Sequence, residues 1–523
     1  MTAYERTNID ELLRATGAHD ERTGDDSAPI TVHAAVSRFA VLYEKVRTAV
    51  DYRAEHLLRK AAIVRILKRQ IALEGDAEVV ANQLIRELIA ARYLPNAKLP
   101  ESLVDEATIV VRKYLVLKNI GLGDEKHMEW LLGITAAELE ELVDDHTEVK
   151  RYIHFLYKKL EDKIRIYDES LDDTNRRLQI YIACHRSFVK ADDEMVGFKL
   201  ARAYEPEWMN PTEWIDAPHE MAHSMLHVQG CVQTALHHTL GLKFLNVVKP
   251  WAISLRMVRT VLTDNPERQE EILSSPELLH RQLEIVAEKK IKESRAKISR
   301  GTFRAIIYLF ITKILIALAL EVPAELFLYS EIHYGALLIN ISFPPVLMFL
   351  VGSLIRMPGK ENVNRIKLGA DELLNADGVP ETKIRIPRQR GPFGQFMFGL
   401  IYTLTYLISF GGVFIGLAAL KFTWVSALIF IFFLSIVSFF AFRLRAGARE
   451  FIAIPRKGGI FAMLFDFLSI PILRAGRWLS VTVSRFNVFI FFFDFIIEAP
   501  FKIFLNILEE WSAFIKEKKD ELE

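Results

Sequence analysis

The sequence predicts an all-α membrane protein, and three observations lead to this fold class. Long apolar runs fall between positions 303 and 442, and each is long enough to form a membrane-spanning helix. Before position 300, apolar residues recur at spacings of three and four, which is typical of amphipathic helices. Strand patterns are nearly absent from that first part. We therefore expect an N-terminal cytosolic helical domain, a four-helix transmembrane region, a short β pair at the cytosolic surface and amphipathic helices at the C-terminus.

The N-terminal half divides into a tail and two helical regions. Residues 1–31 contain no apolar core, so they predict a disordered polar tail with room for one short helix, and they give no sign of a signal peptide. Helical periodicity covers residues 32–205, where Asp76 is placed to cap the second helix. A Pro- and Trp-rich break begins at Pro206 and opens a second helical region, residues 206–302, which ends in a cluster of Lys and Arg.

Four transmembrane helices are predicted in the next region. A run of ~20 apolar residues crosses a bilayer as a helix, and four runs meet this requirement: residues 303–322, 334–355, 393–420 and 423–442. Lys and Arg cluster before the first run, between the second and third, and after the fourth, whereas the first connecting loop has none and contains Glu325 and Glu331. By the positive-inside rule, we expect a multi-pass protein of the cytoplasmic (inner) membrane with its N- and C-termini in the cytoplasm.

Three features inside the apolar runs predict specific roles. Lys313 lies near the middle of the first run, where a bare ammonium costs at least ~2.5 kcal/mol, so we expect it to face protein, water or a partner. A polar pathway or an intramembrane ion pair is the functional interpretation, and a lysine whose long side chain reaches towards the interface is the alternative. Pro344 and Pro345 interrupt the second run and predict a helix kink or break, with a structural kink favoured over a substrate site. Gly412 and Gly416 form a G-x-x-x-G pattern that predicts close packing against the fourth helix or a second copy of the chain.

A short internal repeat flanks the third and fourth runs. Residues 384–393 and 452–461 share the pattern I-x-I-P-R followed by Gly-x-Phe. Alternating isoleucines that end at a proline predict two short strands lying close together at the membrane surface. Arg388 and Arg456 are expected to bind lipid phosphates there.

The segment 443–523 predicts amphipathic helices that lie in the membrane interface. Its polar residues, among them Asp466 and Asp494, recur along one helix face while large apolar residues fill the other faces. Two further membrane spans are the alternative. The positive-inside rule disfavours it, because it would carry Arg474 and Arg477 to the outer side.

One motif has the residues for catalysis. His219-Glu220-x-x-His223 places two imidazoles four residues apart, where both can bind one Zn²⁺ while the glutamate activates a water molecule. It resembles the motif of the zincin metallopeptidases, which implies His219 and His223 as zinc ligands and Glu220 as the general base. His227 lies four residues after His223, on the same face of a helix. However, Pro218 directly precedes the motif and no acidic third ligand follows closely. We therefore expect no resident cofactor, with zinc as the alternative, and interpret Glu220 as a favourable residue at a helix N-terminus.

Two stretches resemble a known protein family, and the family resemblance would extend over most of the chain. Residues 310–323 and 494–502 resemble an uncharacterised family of polytopic membrane proteins from candidate-phyla bacteria with small genomes. The resemblance implies a bacterial membrane protein and implies no activity.

Composition and motifs together favour a non-enzymatic role. Lys plus Arg and Asp plus Glu each number 66, so the formal net charge is zero and nucleic acid is not an expected partner. Two cysteines are too few for a disulfide framework. We expect a membrane-anchored scaffold or interaction protein whose partners are the lipid bilayer and either another protein or a second copy of the chain. A zinc metallopeptidase using the H-E-x-x-H motif and a small-solute or ion conduit using Lys313 are the open alternatives.

Overall fold

Helices form nearly all of the regular structure in the computed structural model of this protein. The structure describes residues 4–17, 29–32, 54–73, 75–144, 146–167, 172–329, 333–355, 359–375, 378–385, 391–448 and 460–485. By their contacts these residues fall into two units, and each unit is considered by itself. The described part of unit 1 lies in residues 1–283 and 366–386, and that of unit 2 lies in residues 284–365 and 387–499.

Unit 1 is an assembly of helices that share one apolar core. Its helices are α1 (Arg6–Thr16), α2 (Glu55–Leu73), α3 (Ala77–Ala90), α4 (Ser102–Ile120), α5 (Glu125–Val143), α6 (Thr147–Leu160), α7 (Asp173–Phe188), α8 (Asp193–Tyr204), α9 (Pro211–Trp214), α10 (His219–Leu236), α11 (Gly241–Asp264) and α12 (Gln269–Ser274). The predicted cap of α3 is confirmed, because the Asp76 carboxylate accepts hydrogen bonds from the backbone N–H groups of Glu78 and Val79.

Unit 1 continues across the break predicted at Pro206. The helix after the break, α10, packs against α8, and α11 packs against α7. Val196 of α8 and Val232 of α10 are completely buried in the same core. The break itself contributes to that core, because Trp208 and Trp214 are buried and stacked, with ring centroids 5.6 Å apart. The helices before and after the break therefore form one folded unit.

The N-terminus differs from the predicted disordered tail. Helix α1 packs against α6, and its Ile9 and Leu12 side chains are buried. Just before the helix, the Tyr4 hydroxyl donates a hydrogen bond to Asp371 Oδ1 at 2.6 Å. The expectation of disorder is corrected for this stretch. Its few apolar residues cannot form a core alone and become buried only against other helices of unit 1.

A two-stranded parallel sheet joins distant parts of unit 1. Strand β1 (Ile164–Ile166) pairs with β2 (Thr382–Ile384), with Ile164 opposite Thr382. The first copy of the sequence repeat therefore contributes to a strand, as expected, but its partner is β1, which has no clear signal in the sequence. The second copy lies outside the described residues, so pairing between the two copies stays a prediction.

Unit 2 contains the long apolar helices. α13 (Pro276–Ile316) begins in unit 1 and leads through a π-helical turn (Ala317–Glu321) into α14 (Val322–Tyr329). The chain continues with α15 (Tyr334–Leu354), α16 (Lys360–Leu374), which ends in unit 1, and then α17 (Pro392–Ala419), α18 (Trp424–Ala448) and α19 (Ile460–Arg485).

Four of the described helical segments are long and apolar enough to cross a membrane, which confirms the predicted number. They are Pro276–Leu328, Tyr334–Ser353, Pro392–Ala419 and Trp424–Ala441. The first has 53 residues and extends beyond the predicted span at both ends. By length and composition these helices suggest a membrane protein. The cell membrane involved and the orientation of the termini stay predictions.

Helix α19 packs against α17 and α18. The Ser409 hydroxyl of α17 donates a hydrogen bond to the Leu468 carbonyl of α19 at 2.8 Å. Asp466 lies on this helix, whose placement in a membrane interface stays a prediction. The other predicted interface residues lie outside the described residues: Arg388, Arg456 and Asp494.

Candidate functional site

A π-helical turn aligns two buried charged residues in unit 2. Lys313 and Glu321 are eight residues apart, and in a regular α-helix this spacing would turn their side chains about 80° away from each other. The π turn Ala317–Glu321 adds one residue to a helical turn. The two side chains therefore leave the helix within about 20° of the same direction. The Lys313 Nζ and Glu321 Oε2 atoms lie 3.7 Å apart.

Protein surrounds this ion pair on all sides. Both side chains are 0% exposed, and the Lys313 ammonium lies 4.5 Å from the centre of the Phe433 ring of α18, in a cation–π contact. Neither Lys313 Nζ nor Glu321 Oε2 has a hydrogen-bond partner in the described part of the chain. Such a pair is costly to bury, because the attraction between the charges must offset the loss of both hydration shells.

Asn340 links Glu321 to another helix. The amide Nδ2 of Asn340, on α15, donates to Glu321 Oε1 at 2.6 Å and to the Ser426 carbonyl oxygen of α18 at 3.3 Å. Asn340 is completely buried, and its Oδ1 atom has no hydrogen-bond partner among the residues that the structure describes. The π turn, α15 and α18 are therefore joined by polar side chains rather than by apolar packing alone.

Glu325 extends this network to the ends of two helices. Its Oε1 atom accepts hydrogen bonds from Ser426 Oγ at 2.9 Å and Thr423 Oγ1 at 3.3 Å. Its Oε2 atom accepts one from the His333 backbone N–H at 3.0 Å. Thr423 directly precedes α18 and His333 directly precedes α15. The carboxylate therefore lies at the positive ends of two helix dipoles, which favours its negative charge.

We call this connected set of residues the polar centre: Lys313, Glu321, Asn340, Ser426, Thr423, Glu325 and His333. It extends from the completely buried Lys313 to the side chain of His333, which is 37% exposed. The sequence predicts a polar pathway or an ion pair for Lys313, and the structure contains the ion pair.

The placement of Glu325 in a connecting loop is corrected. The first apolar helix does not end at residue 322 but continues through the π turn to Tyr329, so Glu325 lies on α14. Sequence reasoning missed Glu321 and Asn340 as members of the site. The available signal was the presence of two glutamates near the end of an apolar run. The direction of their side chains depends on the π turn, and no sequence pattern predicted that turn.

The H-E-x-x-H residues lie on the surface of unit 1. His219 begins α10, and His219, Glu220, His223 and His227 are all exposed. The His227 Nε2 atom lies 3.6 Å from the Sγ atom of Cys231, one helical turn further on. Within the described residues, no group of three ligand atoms lying within 4.8 Å of one another includes any of these histidines. The structure therefore brings no third ligand to the motif there, and zinc binding stays an untested alternative.

A different set of potential metal ligands comes together in unit 1. Glu140, Asp144 and His146 each offer one ligand atom, and these atoms lie within 4.8 Å of one another. The Arg59 guanidinium already pairs with two of them, since Nη2 donates to Glu140 Oε1 at 3.0 Å and also to Asp144. A metal ion would have to compete with this positive charge. The group is therefore explained as an ion-pair cluster within unit 1.

Helix α5 directs several carboxylates towards cations on neighbouring helices. Glu138 pairs with Lys113 of α4. Glu141 lies between Lys150 of α6 and Lys199 of α8, each at 2.7 Å. Burial by itself raises the pKa of the Glu141 carboxyl, but the two ammonium groups outweigh this effect and lower the pKa to about 2. These ion pairs connect four helices within unit 1.

The predicted proline and glycine features of the apolar helices are placed as follows. α15 continues through Pro344 and Pro345, so the second candidate span is not broken there, and a kink stays a prediction. A Cβ atom added at Gly412 or Gly416 would meet no atom within 4 Å in the described part of the protein. The space beside these glycines is open in the described residues, and packing against α18 or a second copy of the chain stays a prediction.

Comparison with known proteins does not identify the chain. No protein-family model, curated protein or solved structure matches it. The function must therefore be inferred from the geometry of the described residues, among which the polar centre is the most unusual feature.

Proposed function

We propose that this protein is a multi-pass membrane protein in which the polar centre binds protons and exchanges them with one side of the membrane, as part of an ion or small-solute conduit. The observation that carries the proposal is the completely buried ion pair of Lys313 and Glu321 within an apolar helix. Ionisable groups at such positions are costly, and in membrane proteins they mark substrate, ion or proton pathways.

Proton transfer suits the chemistry of this pair. When one proton moves from Lys313 Nζ to the Glu321 carboxylate, two charged groups become two neutral groups. Burial penalises charged groups, so the two states lie closer in energy inside the protein than in water. Hydrogen bonds of side chains and of two backbone groups, the Ser426 carbonyl and the His333 N–H, connect Glu321 to the partly exposed His333. This polar chain supports access to the pair from one side.

The proposal also places the four apolar helices across the cytoplasmic membrane, with both termini in the cytoplasm. Its support is the distribution of charge: α13 carries several Lys and Arg residues before its apolar part, whereas residues 322–334 contain neither. His333, and with it the accessible end of the polar centre, would then face the outer side.

Proton flux into vesicles that contain the purified full-length protein tests this function. The vesicles enclose a pH-sensitive dye, and a potassium gradient sets the membrane potential. The decisive variant is the double substitution Lys313→Leu with Glu321→Leu, because replacing a whole buried ion pair by apolar residues is often neutral for stability. It removes both proton-binding groups, so we expect flux to fall at least about tenfold.

Thr312→Val is the matched control for this experiment. The Thr312 hydroxyl donates to the Tyr308 carbonyl of its own helix at 2.8 Å and takes no part in the polar centre. We expect this variant to conduct like the wild type. Wild-type flux no greater than that of protein-free vesicles, or full flux in the double variant, would contradict the proposal.

A membrane-anchored scaffold is the second candidate, and the ion pairs of unit 1 favour it. The carboxylates of α5 are paired with cations from α2, α4, α6 and α8, an arrangement suited to a stable docking body. A folded wild-type protein that carries no flux would support this function. A zinc peptidase lacks such support, because the described residues bring no third ligand to the H-E-x-x-H motif.

A further inference from the structure

A small pocket lies between α13 and α15, where the basic part of α13 meets its apolar part. Its volume is about 260 Å³. From α13 it is lined by Arg295, Ser299, Thr302 and Ile306, among others. These four positions are separated by four, three and four residues, so they lie along one face of the helix. Along this face the lining changes from charged to hydroxylic to apolar over about 16 Å.

The opposite wall of the pocket comes from α15 and includes Phe349 and Gly352. A Cβ atom added at Gly352 would overlap the Thr302 side chain, so glycine permits the close approach of the two helices at this point. Thr302 is 8% exposed, and its Oγ1 atom has no hydrogen-bond partner among the described residues. This Oγ1 atom is itself buried in the contact between the two helices, so the polar side chains that the pocket offers to a ligand are those of Arg295 and Ser299, which are both exposed.

We propose that the pocket binds the phosphate group of an anionic phospholipid. The Arg295 guanidinium is suited to a charge-assisted hydrogen bond with a phosphate oxygen, and the Ser299 hydroxyl can donate to the same group. An acyl chain then lies along Ile306 and Phe349. The border between the basic and apolar parts of a membrane helix is the depth at which lipid phosphates lie.

This inference rests on the membrane placement in the proposed function, but it does not depend on proton transfer at the polar centre. Flux through the polar centre and lipid binding at this pocket are therefore separate measurements on the same protein.

A titration of the full-length protein in non-ionic detergent with short-chain phosphatidylglycerol tests the site. A ligand of the folded protein raises its melting temperature, and the rise gives an apparent affinity. We expect Arg295→Gln to weaken this affinity at least about tenfold and Ser299→Ala, which removes only the hydroxyl, several-fold. Arg300→Gln is the matched control: Arg300 is exposed on the same helix and does not line the pocket, so we expect a change below about twofold.

Two further ligands identify what the pocket recognises. Diacylglycerol has the acyl chains without the phosphate, and inorganic phosphate has the charge without the chains, so neither should reproduce the shift. Equal weakening by Arg295→Gln and Arg300→Gln, or a full shift from either of these ligands, would overturn the proposal. A protein that stays in solution without detergent would instead overturn the membrane placement, so the two failures are distinguishable.

Discussion

Replacing Glu141 by glutamine should destabilise unit 1 in a way that depends on pH. The Glu141 side chain is 14% exposed, and its two oxygens lie 2.7 Å from the ammonium groups of Lys150 and Lys199. Burial raises the pKa of this carboxyl, but the attraction of the ammonium groups prevails and lowers the pKa from 4.5 to about 2. Glutamine keeps the shape and removes the charge, which leaves the buried Lys199 without the carboxylate that balances it.

The lowered pKa of Glu141 sets both the size and the sign of the effect. A difference of about 2.5 pKa units corresponds to about 3 kcal/mol, which agrees with the cost of about 3–5 kcal/mol for breaking a buried pair. A carboxyl whose pKa is lowered by folding stabilises the fold above its unfolded pKa, and the contribution is lost as pH falls through the folded pKa. The difference between wild type and Glu141→Gln should be about 3 kcal/mol at pH 7 and roughly 1 kcal/mol near pH 3.

Urea unfolding of the full-length protein in non-ionic detergent measures this difference. Tryptophan emission follows unfolding at both pH values. Cys184 is completely buried, so at neutral pH its labelling in a Cys231→Ser background reports the opening of unit 1. Glu271→Gln is the matched control, because the ion pair of Glu271 with Arg268 is exposed on both sides and solvent screens it, so this variant should hardly change stability. Equal costs for the two glutamine variants, or a Glu141→Gln cost that is unchanged at pH 3, would refute the reasoning.

Two further predictions concern the H-E-x-x-H motif and the membrane topology. Since no third ligand lies beside the motif in the described residues, metal analysis should find no stoichiometric zinc that His223→Ala removes, and a zinc ion lost in this variant would contradict the interpretation. Because α13 is basic before its apolar part, position 292 should lie in the cytoplasm and position 334 outside. In a Cys231→Ser background, Tyr334→Cys should therefore react with a membrane-impermeant thiol reagent added to intact cells, whereas Lys292→Cys should react only after lysis. The reverse pattern would show the opposite orientation.

Local sequence signals predicted most of the helical architecture. Four apolar runs correspond to four long apolar helices, and Asp76 caps α3 as its position before an amphipathic segment indicates. Such features depend on residues that are neighbours in the chain, so a short window of sequence contains the necessary information. The same local reasoning failed for α1, because its apolar face is buried by helices that lie far away in the sequence.

Packing determined which polar groups meet, and this could not be inferred from the chain alone. Lys313 was recognised as an expensive charge, but its pairing with Glu321 depends on a single π turn that changes the direction of one side chain. Likewise, β2 pairs with β1, a strand that lies far away from it in the sequence. Length and apolar periodicity specify that a helix forms and which face is apolar. Which group lies next to a polar side chain depends on how separate helices and strands are rotated and where they touch. That arrangement is determined only when these elements pack together.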